Sequence, residues 1–191
     1  MEALKQKIKA EGKMLGEDIV KVDSFINHQV DVELMEAIGK DIAEQFAGKG
    51  VTKIFTIESS GIAPSVFAAK YMNLPLVILK KQSSRTLSQN LWQTEVISYT
   101  KGITYELTLS KDYISDQDHI LIIDDFLANG EAATGAVRLI RKAHATVAGL
   151  AVLIEKAYQP GRGKLEAQGI PVYAQARIAK CSAAGIEFEE D

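Results

Sequence analysis

Four predominantly apolar runs punctuate the chain and predict strands: Lys53-Ile-Phe-Thr-Ile57, Leu76-Val-Ile-Leu79, Ile120-Leu-Ile-Ile123 and Val147 to Ile154. Short continuous runs of this kind fit strands covered on both faces. Between them the period changes to that of a helix. Leu34, Met35, Ile38, Ile42 and Phe46 form one stripe, opened by Asp31 as N-cap and ended by Gly48-Lys-Gly50. Ile62, Val66, Phe67 and Tyr71 are spaced for one face of a second helix, with Pro64 in its first turn, where a missing N–H costs nothing. Ala133, Ala136, Val137 and Ile140 fall at i, i+3, i+4 and i+7 of a third, with Glu131, Thr134, Arg138 and Arg141 on its other face; it ends near Ala143-His144. A short helix with Leu4 and Ile8 on one side opens the chain and stops near Gly12. Residues 13–30 show no clear period and read as a strand and loop over an edge of the main domain.

Residues 82–110 differ in character. Gln82 to Asn90 is polar, and Trp92–Tyr99 and Ile103–Leu109 then alternate around Thr100-Lys101-Gly102, which predicts a hairpin. A polar loop and hairpin inserted in an α/β domain read as a lid. Past Glu155-Lys156, Gln159-Pro-Gly-Arg-Gly163 predicts a turn and Leu165 to Gln168 a short helix. Pro171 to Ile178 predicts a strand or extended piece returning over the site. The sum is an α/β domain of three strand–helix units around a mostly parallel sheet. Ligands in such sheets bind at the carboxyl ends of the strands, here Glu58, Lys80, Asp124 and Glu155, all polar or charged.

Composition narrows the setting. The 191 residues suffice for one well-cored domain. A net charge of −3 gives no sign of a nucleic-acid partner. The single cysteine, Cys181, excludes an internal disulfide and fits a reducing, cytoplasmic setting. Met1 to Lys7 is charged and does not read as a secretory signal, and no apolar run approaches the ~18 residues of a membrane span.

The most informative stretch is Ile120-Leu-Ile-Ile-Asp124-Asp125-Phe-Leu-Ala-Asn-Gly130-Glu-Ala-Ala-Thr-Gly135. Its small-residue turn opens a helix, and a helix start points unpaired N–H groups and the positive end of a dipole outward, which suits a phosphate. Gly130 and the alanines keep side chains out of the anion's way. Asp124 and Asp125 repel an anion, but they can accept from two neighbouring hydroxyls or hold a hydrated Mg²⁺. Phosphate and vicinal diol side by side describe a 5-phosphoribosyl group. An apolar strand ending in Asp-Asp also describes a Walker B strand or the acidic pocket of a receiver domain. No G-x-x-x-x-G-K-[ST] and no G-x-G-x-x-G occurs in the chain. Ser59-Ser60-Gly61, at the end of another strand, forms a second loop of anion-binding type.

The full string resembles the phosphoribosyl-pyrophosphate (PRPP) motif of the type I phosphoribosyltransferases. With Met1-Glu-Ala-Leu, Val22 to Gln29, Ile57-Glu-Ser-Ser-Gly-Ile62 and Ile154-Glu-Lys-Ala-Tyr-Gln-Pro-Gly-Arg162, the chain is similar to the bacterial, adenine-phosphoribosyltransferase-like branch that acts on xanthine. The resemblance covers nearly the whole chain and weakens after about Gln168.

That resemblance implies one 1–191 domain, with a hood from about 1–30 plus the C-terminal segment and a lid at about 82–110. It implies transfer of the phosphoribosyl group from PRPP to xanthine, giving xanthosine 5′-monophosphate and pyrophosphate, in a homodimer. Asp124 and Asp125 become the catalytic pair at the ribose. Ala128, Asn129, Gly130, Glu131 and Ala132 become the 5-phosphate loop. Ser59, Ser60, Gly61, Lys81 and Lys80 become the pyrophosphate site. Asn27, Lys156 and Val20 would meet the base, Val20 standing where such proteins carry Leu. Phe126 reads equally as a wall of that pocket and as core. Mg²⁺ would be held mainly by substrate and water, without a protein cage. Guanine or hypoxanthine is the alternative base. A PRPP-sensing regulator is the non-enzymatic alternative, disfavoured because residues 1–50 carry seven Lys/Arg against ten Asp/Glu and leave no room for a DNA-binding module.

Overall fold

The computed structural model describes residues 1–16, 19–81, 90–98, 102–182 and 185–189. Helix α1 (Glu2–Glu11) stops at Gly12, whose N–H donates to the Ile8 carbonyl. A small antiparallel pair follows, β1 (Lys13–Leu15) with β2 (Ile19–Lys21). A wide helical turn, Asp23–Asn27, then buries Phe25 and Ile26 and leaves Asn27 exposed. Helix α2 (Val32–Gln45) starts at Asp31, whose Oδ1 accepts from the Leu34 N–H at 3.1 Å. All five residues of its apolar stripe are buried.

Strand β3 (Lys53–Ile57), helix α3 (Ile62–Met72) and strand β4 (Leu76–Leu79) form the first parallel unit. The hairpin is β5 (Leu91–Ser98) with β6 (Ile103–Ser110), antiparallel in unbroken register. Its expected turn residues Thr100 and Lys101, and the expected loop residues 82–89, lie outside the described residues. After a short 3₁₀ turn, Lys111–Tyr113, come β7 (His119–Leu127), α4 (Glu131–Lys142), β8 (Thr146–Lys156), α5 (Gly161–Glu166), β9 (Val172–Ser182) and β10 (Gly185–Phe188). The six-stranded sheet runs β10-β9-β8-β7-β3-β4, parallel throughout except for the β10–β9 pair.

Strand alternation divides the core between the two faces of this sheet. Leu121 and Ile123 of β7 turn to the side covered by α1, α2, α3 and the wide turn. Ile120 and Ile122 turn to the side covered by α4, α5 and the hairpin. The hairpin is seated there by glycine. A Cβ on Gly135 of α4 would stand 2.5 Å from Val96 Cγ2, and Val96, Leu107 and Leu109 are buried. Trp92 packs into this layer beneath the Lys111 ammonium, 4.2 Å from the ring centroid.

Five expectations need correction. Strand β7 does not stop at Asp124, because β8 is long enough to keep pairing with it as far as Leu127. Helix α3 does not bury Val66 and Tyr71; they are 50% and 42% exposed, and Pro64, Ser65 and Ala68 are buried instead. The cause is close approach of α2, where a Cβ on Gly39 would stand 2.4 Å from Phe67 Cβ. Strand β4 is a half-buried edge, not a strand covered on both faces. The stretch 159–163 already enters α5 at Gly161. The strand after Pro171 joins the sheet beside β8 and does not fold back over the site.

Candidate active site

Two helices begin at the carboxyl ends of neighbouring strands, and both begin at a glycine. Gly61 precedes α3 after β3, and Gly130 precedes α4 after β7; neither helix has a side chain capping its first N–H groups. Helix α2, far from these strand ends in the chain, has its cap filled by Asp31. Gly130 sits at φ 80°, a left-handed conformation that glycine adopts without strain. Amides left without partners at a helix start are anion-binding groups.

The loop lines a cleft together with Asp124, Phe126, Leu127 and Ala133, and with Val96, Ile97 and Tyr105 from the hairpin. The sequence did not single out the hairpin's share. Its alternation was visible, but which face would meet α4 depended on Gly135, a distant residue. Tyr105 is a second acid at the cleft: burial, then the negative charge of Asp124, push its phenol above the ordinary value.

The carboxyl of Asp124 is pushed well above the usual carboxylate range, first by burial, then by the charge of Asp125 and the hydrogen bond between the two side chains; the Lys81 ammonium offsets part of this. Asp124 Oδ1 accepts from the Asp125 N–H and Asp125 Oδ1 from the Phe126 N–H, both at 3.0 Å, which fixes the pair to its own backbone. A carboxyl with a folded-state pKa above its unfolded one supports folding below the unfolded value, and that support is lost as pH rises through the folded value. Asp124→Asn is therefore expected to gain in melting temperature over the native chain as pH rises from acid to alkaline. A difference that stays flat across such a series of melts would mean that Asp124 feels no such burial.

The loop after β3 presses directly against the acid pair. A Cβ on Gly61 would lie 3.3 Å from Asp124 Cα and 3.2 Å from the Ile123 carbonyl oxygen, so only glycine lets Ser59–Gly61 come this close. The Glu58–Ser59 peptide is cis. Glu58 gathers the next strand end: its Oε1 accepts from the Lys81 N–H at 2.5 Å, and its Oε2 pairs with Lys80 Nζ at 3.4 Å. The Lys81 ammonium lies 5.6 Å from the Tyr105 ring centroid. The two expected anion loops and Lys81 are thus gathered around Asp124, while Lys80 is drawn back to Glu58.

The expected base-contacting residues are distributed differently. Val20 is buried on β2, and Phe126 lines the cleft of the Ala128–Ala132 loop and packs against the core cluster that contains Val20. Lys156 is the last residue of β8, and Asn27 is exposed at the end of its turn. Among the described residues, no group of three or more His, Cys, Asp or Glu converges as for a metal, and no helix is long and apolar enough to cross a membrane. His28 and His144 are exposed, and His119 Nδ1 lies 2.7 Å from Thr146 Oγ1.

Sequence reasoning also passed over what stands behind the loop. The Gly161 N–H donates to the Ala128 carbonyl at 3.0 Å, and Lys164 pairs with Glu131 at 2.6 Å. Glu155 is buried between Arg162 and Arg177.

Residues 23–167 match the family described as Phosphoribosyl transferase domain. Xanthine phosphoribosyltransferase of Agathobacter rectalis is 58% identical over 191 residues, covering 100% of both chains. The xanthine phosphoribosyltransferase of Clostridium acetobutylicum is 57% identical over 188 residues, 98% of this chain and 100% of its own. Among solved structures, adenine phosphoribosyl transferase from Trypanosoma brucei superposes with a TM-score of 0.78 at 16% identity, over 95% of this chain and 83% of that one, a likeness of fold alone.

Proposed function

Because the chain belongs to the phosphoribosyl transferase family, we propose that it transfers the 5-phosphoribosyl group of PRPP to xanthine, yielding xanthosine 5′-monophosphate and pyrophosphate, a purine-salvage reaction. The observation that carries the reading is the pair of glycine-started, side-chain-free helix N-termini on either side of Asp124 and Asp125. Two anion cradles flanking two carboxylates match a substrate with a phosphate at one end, a pyrophosphate at the other and a diol between them. Near-identity of length and 57–58% identity to enzymes named for xanthine supply the base.

In this reading the Ala128–Ala132 amides hold the 5-phosphate, and Asp124 and Asp125 accept from the ribose hydroxyls. As the glycosidic carbon loses pyrophosphate, positive charge grows on the ribose ring, and fixed carboxylate charge beside it lowers the barrier. The Ser59–Gly61 amides and Lys81 face the opposite need, the negative charge growing on pyrophosphate. Mg²⁺ would be held mainly by substrate oxygens and water, with Asp124 and Asp125 as the nearby carboxylates, and would supply further positive charge to the departing pyrophosphate. Xanthine loses a ring proton near neutral pH, so attack by its nitrogen needs little help from a protein base. Lys156 and Asn27 donate to the oxo groups, Val20 and Phe126 supply apolar wall, and adenine is rejected because its 6-amino group leaves a donor unpaired. The enzyme of this proposal is a cytoplasmic homodimer; its lone Cys181 suits a reducing compartment.

The test is steady-state transfer from PRPP with Mg²⁺ to xanthine, guanine, hypoxanthine and adenine in parallel. Xanthine is expected to lead in kcat/KM. Guanine or hypoxanthine leading would move the enzyme to the neighbouring specificity, and PRPP binding without transfer to any base would make it a sensor. Lys156→Ala is expected to lower the xanthine-to-guanine ratio on the order of 10-fold or more, the scale of a lost hydrogen-bonding partner. An unchanged ratio would put Lys156 outside the base pocket.

A further inference from the structure

We propose that Arg162 is a positioning residue for the 5-phosphate loop, acting through α5 as a bracket between the sheet and that loop. The inference rests on the assignment of Ala128–Ala132 to the 5-phosphate. One end of the bracket is fixed in the sheet. Arg162 Nε and Nη2 donate to the two carboxylate oxygens of Glu155 at 2.7 and 2.6 Å, and Nη1 donates to the Val172 carbonyl on β9 at 2.9 Å. Glu155 lies on β8 directly across from Leu127, the last residue of β7 before the loop, and is 2% exposed. Burial works to raise its carboxyl, but the hydrogen bonds and charge of Arg162, with those of Arg177, outweigh it and hold Glu155 below the ordinary carboxylate range.

The other end touches the loop at three points. The Gly161 N–H donates to the Ala128 carbonyl at 3.0 Å. Gly161 itself fits so closely that a Cβ there would stand 2.3 Å from that oxygen and 3.1 Å from the Gly130 nitrogen. Lys164 Nζ reaches Glu131 Oε1 at 2.6 Å, drawing a carboxylate in the first turn of α4 toward α5. The neighbours of the loop are therefore set by where α5 stands, and α5 is held to the sheet by the planar fork of Arg162. A buried ion pair adds little net stability when its desolvation is counted, but it does fix a geometry. Lysine keeps the charge and loses the fork.

The experiment compares wild type, Arg162→Lys and Lys164→Ala, the second a half-exposed residue whose loss leaves the core untouched. Calorimetry measures affinity for ribose 5-phosphate, which carries the 5-phosphate alone, and for pyrophosphate with Mg²⁺, which does not use the loop. Steady-state kinetics with varied PRPP complete the set. Arg162→Lys is expected to weaken ribose 5-phosphate on the order of 10-fold, since displacements near 1 Å cost up to about 10²-fold. Pyrophosphate affinity should stay within about twofold. KM for PRPP should rise more than kcat falls, and Lys164→Ala should shift ribose 5-phosphate in the same direction by a smaller factor. A merely structural Arg162 weakens both ligands together, and that result overturns the proposal, as does unaltered ribose 5-phosphate affinity in both variants. If Arg162→Lys does not fold, unaltered affinity in Lys164→Ala alone overturns it. Wild type that binds pyrophosphate but no ribose 5-phosphate overturns the loop assignment and this inference with it.

Discussion

Asp125→Asn is expected to keep the fold and lose on the order of 10²-fold or more in turnover, the cost of removing a charge-stabilising group aimed at the reacting centre. The structure explains why the two effects separate. Asp125 Oδ1 accepts one hydrogen bond, from the adjacent Phe126 N–H, and an asparagine oxygen can accept the same bond. Shape and backbone hold remain; what disappears is negative charge beside the ribose. Initial rates with saturating PRPP and xanthine, alongside a thermal melt, decide it. A well-folded variant with turnover near that of the native enzyme would remove Asp125 from the ribose site.

The second large effect belongs to a residue without a side chain. In Gly61→Ala the new Cβ would stand 2.3 Å from Thr56 Oγ1, closer than any real contact, and Thr56 is wholly buried. Something must move, and the loop is the freer party. It would withdraw from Asp124, so kcat/KM is expected to drop on the order of 10²-fold. Overpacking of this kind also costs about 1–3 kcal/mol of stability. Thr56 Oγ1 has no hydrogen-bond partner among the described residues, so Thr56→Ala opens the space without breaking a bond. The double variant Gly61→Ala/Thr56→Ala is expected to recover about tenfold or more of the lost kcat/KM. The remaining contacts, 3.2 Å to the Ile123 oxygen and 3.3 Å to Asp124 Cα, limit the recovery. Should Gly61→Ala alone match the native enzyme, close approach of this loop is not what the reaction needs.

These two residues also mark what could be read from the chain beforehand. The acid pair, the Gly130 turn and α4 were legible because their signals are local: an apolar run, two carboxylates, a small-residue turn and a periodic helix follow one another without a break from Ile120 to Lys142. The bounds of β3 and β4 were legible for the same reason. What escaped was set across the sheet. The face that α3 buries depends on Gly39, twenty-eight positions before Phe67. The seat of the hairpin, and with it the place of Tyr105 in the cleft, depends on Gly135. The pattern Pro160-Gly-Arg-Gly163 looks like a turn until Ala128 is placed against Gly161, and then the same glycine becomes the start of a helix. Of the candidate site residues, those on the two loops and the acid pair come together as the sequence suggested. Asn27 and Lys156 rest on resemblance, since no local pattern tells a base contact from a residue at the end of an element.

The two helix starts that lack side-chain caps have a practical corollary for anyone weighing this protein's robustness. No side chain caps either of them, so a small oxyanion in the solution is a candidate guest. A guest that prefers the folded chain raises apparent stability with the logarithm of its concentration. Melting curves taken in phosphate or sulfate would then describe a protein with company, and those taken in an amine buffer a protein alone. Buffer choice becomes part of the specimen, and two laboratories could disagree about the same molecule while both measure correctly.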